Sequence, residues 1–283
     1  MLKRAITGLI FVIVLISCTY LHPFSLFGMY LLFVLVGSWE YLNILNLNSK
    51  TSPNLSLGIF NAAIGFLALT AEPILQINST PFFAVLLIGI FGTPLIELYN
   101  KKEEPFSNIA HSLFPILYIA LPFGLLILAN DQFSNNSTHY NSELILGFYF
   151  ILWSNDTGAY LVGKAFGKHK LFERISPNKT WQGSIGGGVL AIVISVVMGI
   201  LFKSIPLWQW IIIGIIISIF GSMGDLVQSL FKRSMGVKDS GKIMPGHGGI
   251  LDRFDGLLIA CLLYTSDAAD EGLGVDLGGR RII

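Results

Sequence analysis

Charge is scarce in this chain. Of its 283 residues only 12% are Asp, Glu, Lys or Arg, where a soluble domain carries roughly 25%. Hydrophobic residues make up 53% and the mean hydropathy is +0.69, which argues against a soluble globular enzyme. Cysteine is nearly absent too. Cys18 and Cys261 lie in apolar runs without CxxC spacing, so neither a disulfide framework nor a zinc site is expected, and both read as packing residues. The apolar runs are continuous rather than alternating, which argues against an outer-membrane barrel. Internal repeats and low-complexity linkers are lacking, and the net charge of +1 gives no reason to expect a nucleic-acid partner.

What is present is a series of greasy segments near 5–21, 24–45, 57–72, 81–99, 108–129, 143–163, 183–202, 206–223 and 256–264. A bilayer-crossing helix needs roughly 20 such residues. The reading is an all-α, polytopic integral membrane helical bundle of about eight or nine transmembrane helices. Lys3 and Arg4 before ITGLIFVIVLIS imitate a signal peptide, and Leu15-Ile16-Ser17-Cys18 imitates a lipoprotein cleavage box. The chain runs straight on into SLFGMYLLFVLVG, so a first membrane helix is the better reading. The last apolar run is too short to cross a bilayer and gives way abruptly to TSDAADEGLGVDLGGRRII. Residues 1–264 are therefore expected to form one membrane-embedded domain with a truncated last helix, and 265–283 a non-native or disordered tail.

Placing Lys3 and Arg4 in the cytoplasm and alternating sides puts Lys50, Lys101, Lys102, Lys164, Lys168, Lys170, Arg174 and Lys179 inside. Lys232, Arg233, Lys238, Lys242 and Arg253 follow them. Lys203 falls outside, and Arg280 and Arg281 belong to the tail. This asymmetry follows the positive-inside rule. Two inner segments, about 164–182 and 225–255, are longer and more polar than plain connections require, and polar groups held at the bilayer edge point to function.

Asp252 and Asp255 stand three apart in HGGILDRFDG, on one face if that segment is helical. Asp225, in GSMGDLVQS, returns to the same membrane surface. Gathered carboxylates repel unless a cation joins them, and hard oxygens suit magnesium, which commonly takes one or two carboxylates plus substrate phosphates. Separate solvated or ion-paired acids would show the same spacing. Lys232, Arg233, Lys238 and Lys242 crowd the next loop. They can hold phosphates or, equally, anionic lipid headgroups. Glycines 241, 246, 248 and 249 around Pro245 favour phosphate, because Gly lets backbone N–H groups approach an anion. His247 can serve as base, phosphate donor or ligand, or merely shape the turn. Asp156, between Asn155 and Thr157 inside an apolar span, is a functional candidate by position. Lys179 and Thr180 in SPNKT offer a cation and a hydroxyl. Gly158 to Lys164 spells GxxxxGK, but Ala165 stands where a P-loop needs Ser or Thr and no strand precedes it.

The stretch SLFKRSMGVKDSGKIMPGHGGILDRFD, residues 229–255, closely resembles the C-terminal signature of phosphatidate cytidylyltransferases, the CDP-diacylglycerol synthases. NDTGAY and SPNKTWQG are similar to further segments of that family, and the resemblance covers roughly 1–264. Met244 departs conservatively from the usual Leu, Ile or Phe. The resemblance implies transfer of the cytidylyl group of CTP to phosphatidate, giving CDP-diacylglycerol and pyrophosphate, with magnesium and with room for a second metal or a monovalent cation. It implies metal binding and catalysis at Asp225, Asp252 and Asp255, and catalytic roles for Lys238 and Asp239. Lys179, Thr180, Lys232, Arg233, His247 and Asp156 are read as substrate-binding. The expected partners are CTP, phosphatidate in the bilayer and membrane lipids, with a homodimer allowed. The expected setting is a bacterial inner membrane with the site on the cytoplasmic side. Two alternatives are weighed. Asp252 to Gly256 reads DxxDG, as in CDP-alcohol phosphatidyltransferases, but Leu257-Leu258-Ile259-Ala260 ends that match. A transporter would hold its cargo near the midplane, whereas here only Asp156 lies clearly deeper.

Overall fold

The computed structural model describes the main chain of residues 2–47, 50–134, 140–241, 243 and 248–272, with side chains for all of these except 2–5, 132–134 and 262–272. The apolar segments fold as α1 (Leu2–Leu21), α2 (Pro23–Asn46), α3 (Leu55–Thr70), α4 (Thr80–Tyr99), α5 (Pro105–Pro115), α6 (Leu121–Ser134), α7 (Glu143–Phe166), α8 (Trp181–Leu201), α9 (Leu207–Ile216), α10 (Ser222–Ser234) and α11 (Leu251–Gly272). Helix starts are set by local chemistry. Pro23 opens α2 behind His22, whose ring accepts from Phe24 N–H, and Asn54 caps α3 through Leu57 N–H at 3.1 Å. Proline at the first turn costs no hydrogen bond, and a capping side chain satisfies an otherwise orphaned donor.

Three π-helical turns, Ala71–Leu75, Ile116–Ala120 and Ile217–Gly221, continue α3, join α5 to α6 and join α9 to α10. Six of the resulting helices are long and apolar enough to cross a membrane: Pro23–Asn46, Leu55–Leu75, Thr80–Tyr99, Pro105–Asp131, Trp181–Leu201 and Leu207–Ser234. The count of eight or nine drawn from the apolar runs is thus met by length and composition for six. The apolar part of α1, Ile6–Leu21, is shorter. Helices α7 and α11 occupy their expected places but carry Asp156 and the Asp252/Asp255 pair.

Two inner segments differ from the loops expected of them. Residues 164–182 include an antiparallel hairpin, β1 (Lys170–Phe172) with β2 (Ser176–Thr180). The segment that begins at Asp225 remains helical to Ser234, so the connection to α11 starts only at Met235. At the far end α11 runs past the apolar stretch to Gly272. The helix therefore does not stop where the hydrophobicity does, because Ser266 to Glu271 are compatible with helix. Residues 273–283 of the tail lie outside the described part.

Helix α11 enters the centre of the bundle. Leu257, Leu258, Ala260 and Cys261 are fully buried. Phe254 packs on Phe33 of α2 at 4.7 Å between ring centroids and on Phe123 of α6 at 5.3 Å. Such aromatic pairs contribute roughly 0.5–1.5 kcal/mol each beyond their buried area. Phe254 thereby turns Asp252 and Asp255 of the same helix away from the core.

Candidate active site

Glycine brings the site's helices together. A Cβ on Gly224 of α10 would stand 2.5 Å from the Asp255 carbonyl oxygen, and one on Gly256 would stand 3.1 Å from the Gly221 carbonyl oxygen. The two backbones can approach only because both positions lack side chains, as small residues allow in membrane bundles. Asp225, next to Gly224, is thereby set beside Asp255, next to Gly256. Helices α7 and α8 meet in the same way. A Cβ on Gly183 would lie 2.7 Å from the Ala159 carbonyl oxygen, and one on Gly158 would lie 3.1 Å from that of Gly186. The GxxxxGK stretch is therefore an internal, packing part of α7. Its Lys164 ammonium sits 5.9 Å from the centroid of Tyr160.

Between these two helix pairs lies a cavity of about 370 Å³. Asp156, Asp225, Asp252 and Asp255 all line it, with Lys179, Thr180, Asn178, Ser184 and Ser222. The convergence of Asp225 with the Asp252/Asp255 pair, expected from the spacing, is thus present. Lys179 Nζ pairs with Asp225 Oδ2 at 2.5 Å and lies 3.5 Å from the Ser222 carbonyl oxygen. Asp225 Oδ1 accepts from Ser229 Oγ at 3.3 Å. Thr180 ends β2 and caps α8, its hydroxyl accepting from Gly183 N–H at 3.2 Å. The start of α8 therefore opens onto the cavity.

Asp252 is fully engaged. Lys232 Nζ contacts Oδ1 at 2.6 Å, and the N–H groups of Ser240 and Gly249 donate to Oδ2 at 2.8 and 2.9 Å. Burial alone would raise its pKa. The Gly249 N–H, the Lys232 ammonium and the Ser240 N–H outweigh that and hold the carboxyl below its usual range. Gly248 adopts φ +83, and a Cβ there would strike the Asp252 carboxylate. Here glycine is needed both for the left-handed backbone and for the close approach.

The remaining candidates are placed differently. Arg233, in the last turn of α10, is exposed and donates to the Val237 carbonyl of the loop that follows at 3.3 Å. Lys238 and Asp239 are exposed and do not line the cavity. His247 and Lys242 lie outside the described residues. Glu40 was missed by the motif reading. It is 1% exposed and accepts from Ser240 Oγ and from the N–H groups of Ile250 and Leu251. An acid in the apolar run 24–45 was the available signal, the same one that singled out Asp156. Tyr160 and Ser184 also line the cavity and gave no signal.

The cavity's chemistry suits a hard cation. Its donors are oxygens, and its four carboxylates are faced by Lys179 and, through Asp252, by Lys232. Negative charge in excess in such a site calls for a counter-ion. Among the described residues, no three His, Cys, Asp or Glu side chains are gathered closely enough to hold one ion. A cation would therefore take one or two of these carboxylates and complete its shell elsewhere.

Residues 2–266 match the cytidylyltransferase family. A phosphatidate cytidylyltransferase of Staphylococcus haemolyticus is 33% identical over 263 residues, covering 93% of this chain and 96% of that protein. Proteins of the same name from Staphylococcus saprophyticus and Staphylococcus aureus are 44% identical over 167 residues and 42% over 168. Each of these two alignments spans 59% of this chain and 61% of the relative. Signature, helical bundle and sequence match agree, and the chain belongs to the cytidylyltransferase family.

Proposed function

We propose that the chain is a membrane-bound phosphatidate cytidylyltransferase. A phosphate-monoester oxygen of phosphatidate attacks the α-phosphorus of CTP. The bond from that phosphorus to the bridging oxygen of the β-phosphate breaks, and CDP-diacylglycerol and pyrophosphate result. The observation that carries this reading is the meeting of four carboxylates with Lys179 and the start of α8 in one cavity, in a chain of this family.

The reaction joins two anions, so the first task is to offset their repulsion. Phosphoryl-type transfer asks little covalent help of a protein beyond positioning and electrostatics. The phosphate monoester has its second pKa near ~6, so it attacks already ionised and needs no general base. Lys179 is the only cation among the described lining residues. It can turn from Asp225 to a phosphate oxygen without leaving the cavity. The first turn of α8 presents the positive end of the helix dipole to a second phosphate oxygen, although Trp181 N–H already donates to the His169 carbonyl and Gly183 N–H to Thr180. The start of α11 is less suited, because Gly249, Ile250 and Leu251 already donate to Asp252 and Glu40. Lys232 and the loop N–H groups keep Asp252 aimed at the cavity.

One or two of the carboxylates of Asp225, Asp252 and Asp255 would hold magnesium, Asp225 and Asp255 being less engaged than Asp252. When bound, that ion supplies charge neutralisation and alignment of the phosphates. The expected setting is a bacterial inner membrane with the cavity on the cytoplasmic side, where soluble CTP and a bilayer lipid can meet. The arrangement of Lys and Arg supports this.

The test is direct. Purified protein is incubated with phosphatidate, magnesium and CTP labelled at the α-phosphate, and label is sought in the lipid fraction. Incorporation is expected, with a loss of about 100-fold or more in kcat for Asp225→Asn. Wild-type protein that moves no label into lipid, yet incorporates serine or glycerol phosphate from CDP-diacylglycerol, would replace this reading with a phosphatidyltransferase.

A further inference from the structure

Glu40 is a carboxylate buried without a counter-charge. It sits in α2, 1% exposed, and among the described residues its partners are all neutral. Oε1 accepts from Ile250 N–H at 3.0 Å. Oε2 accepts from Leu251 N–H at 3.0 Å and from Ser240 Oγ at 3.1 Å. Burying a carboxylate is costly unless hydrogen bonds compensate. These bonds supply that compensation, since the start of a helix offers both unpaired N–H groups and a positive dipole end. A Cβ on Gly241 or on Gly249 would strike the Glu40 carboxylate. The loop is thus shaped around this one side chain at two places, Gly241 and Gly249.

We infer that Glu40 is a positioning residue for the cavity: from α2 it latches the loop at Ser240 and the first turn of α11, and so fixes where Asp252 and Asp255 point. The inference rests on the functional reading above. Glu40 does not line the cavity, so it touches no substrate. Its influence passes through Ser240, whose N–H donates to Asp252 Oδ2 at 2.8 Å while its hydroxyl donates to Glu40. Ile250 and Leu251 lie immediately before Asp252, so their two bonds set the height and rotation at which α11 begins. Freed from the latch, α11 can turn or slide, and displacement of a catalytic group by about 1 Å costs about 100-fold in rate.

Glu40→Gln, Glu40→Asp, Glu40→Ala and Ser240→Ala provide the test. Gln keeps size and shape but turns an amide NH2 toward one of the two N–H groups, leaving that donor unpaired. Each variant is purified in detergent and its folded, monodisperse fraction measured. Its kcat and KM for CTP are then determined with phosphatidate, and hydrogen exchange is followed at residues 240 and 249–251. For folded Glu40→Gln we expect kcat to fall about 100-fold with KM for CTP unchanged within about threefold. Exchange at 249–251 should quicken at least about tenfold. Glu40→Asp should recover part of the rate lost in Glu40→Ala, and Ser240→Ala should show a smaller loss of the same kind. Should Glu40→Ala not fold, the Gln and Ser240 variants carry the test. Wild-type kcat in folded Glu40→Gln, or unaltered exchange at 249–251, would overturn the inference. So would a change confined to KM. If wild-type protein moves no label from CTP into lipid, the functional reading fails, while the exchange measurement still decides whether Glu40 holds the helix start.

Discussion

The two lysines that meet the acids do different work, and their surroundings say which. Lys179 and its partner Asp225 have side chains 25% and 36% exposed, and the ammonium can leave that carboxylate for a phosphate. An exposed pair of this kind is worth no more than about 1 kcal/mol. Lys179→Met is therefore expected to change thermal stability by less than about 1 kcal/mol and to lower kcat/KM for CTP about 100-fold. Side-by-side melting and kinetic measurements check this, and a stable variant with full activity would remove Lys179 from the mechanism. Lys232 and Asp252 are 12% and 7% exposed. Lys232→Met strands a carboxylate in that setting and is expected to destabilise the protein by about 3 kcal/mol, read as a lowered melting temperature in detergent. Much of this was legible at residue level. The acids announced themselves by interrupting apolar sequence, and Lys232 by its place in the signature. Its pairing with Asp252 was not legible, because a loop of that length leaves the partner open until its fold is known. Glu40 carried the same mark as Asp156 and was passed over because no motif surrounds it.

Among elements, the site depends on two close helix contacts, and a single added side chain tests each. Gly224→Val should push α10 from α11 and separate Asp225 from Asp255. Overpacking of this kind typically costs about 1–3 kcal/mol, and activity should fall well beyond what the loss of folded protein explains. Thermal unfolding and kcat, measured on the same preparation, separate the two effects. If Gly224→Val keeps full activity, the close contact does not set the acids' spacing. The cap of α8 offers a gentler probe. Thr180→Ala should lose about 1 kcal/mol and Thr180→Ser nearly nothing, because Ser retains the oxygen that accepts from Gly183 N–H. Most helix positions were readable from the runs of apolar residues to within a few positions, but α10 and α11 run on to Ser234 and Gly272, because polar residues continue a helix that hydropathy alone would end. The glycine contacts were not. A glycine reports that something comes close without saying what, so the GxxxxGK pattern of Gly158 and Gly163 could be ruled out as a phosphate loop from Ala165, but the packing seam these glycines form could not be read. The β1–β2 hairpin was equally hidden, since its strands are short and half exposed and carry no hydrophobic alternation.

For the whole molecule, the bundle gathers its polar chemistry at one end. The C-terminal part of α2, the starts of α8 and α11, and the inner parts of α7 and α10 all reach the cavity or its supports. The distribution of Lys and Arg predicts which side that end faces, since the positive-inside rule acts on loops rather than on tertiary contacts. The prediction follows from loop exposure. In a background lacking Cys18 and Cys261, a cysteine is introduced at Lys168, at Lys238 or at Ser204. Lys168 and Lys238 are exposed and stand on the side of the cavity. Ser204, between α8 and α9, stands at the opposite ends of those helices. A thiol reagent that cannot cross membranes should label Lys168→Cys and Lys238→Cys only in inverted vesicles, and Ser204→Cys only in right-side-out vesicles. External CTP should support synthesis in the inverted vesicles alone, because the nucleotide cannot pass the bilayer while the lipid substrate is already in it. If the two cavity-side positions were labelled from opposite faces, no single end of the bundle could hold both substrates, and the joint site for nucleotide and lipid would be lost.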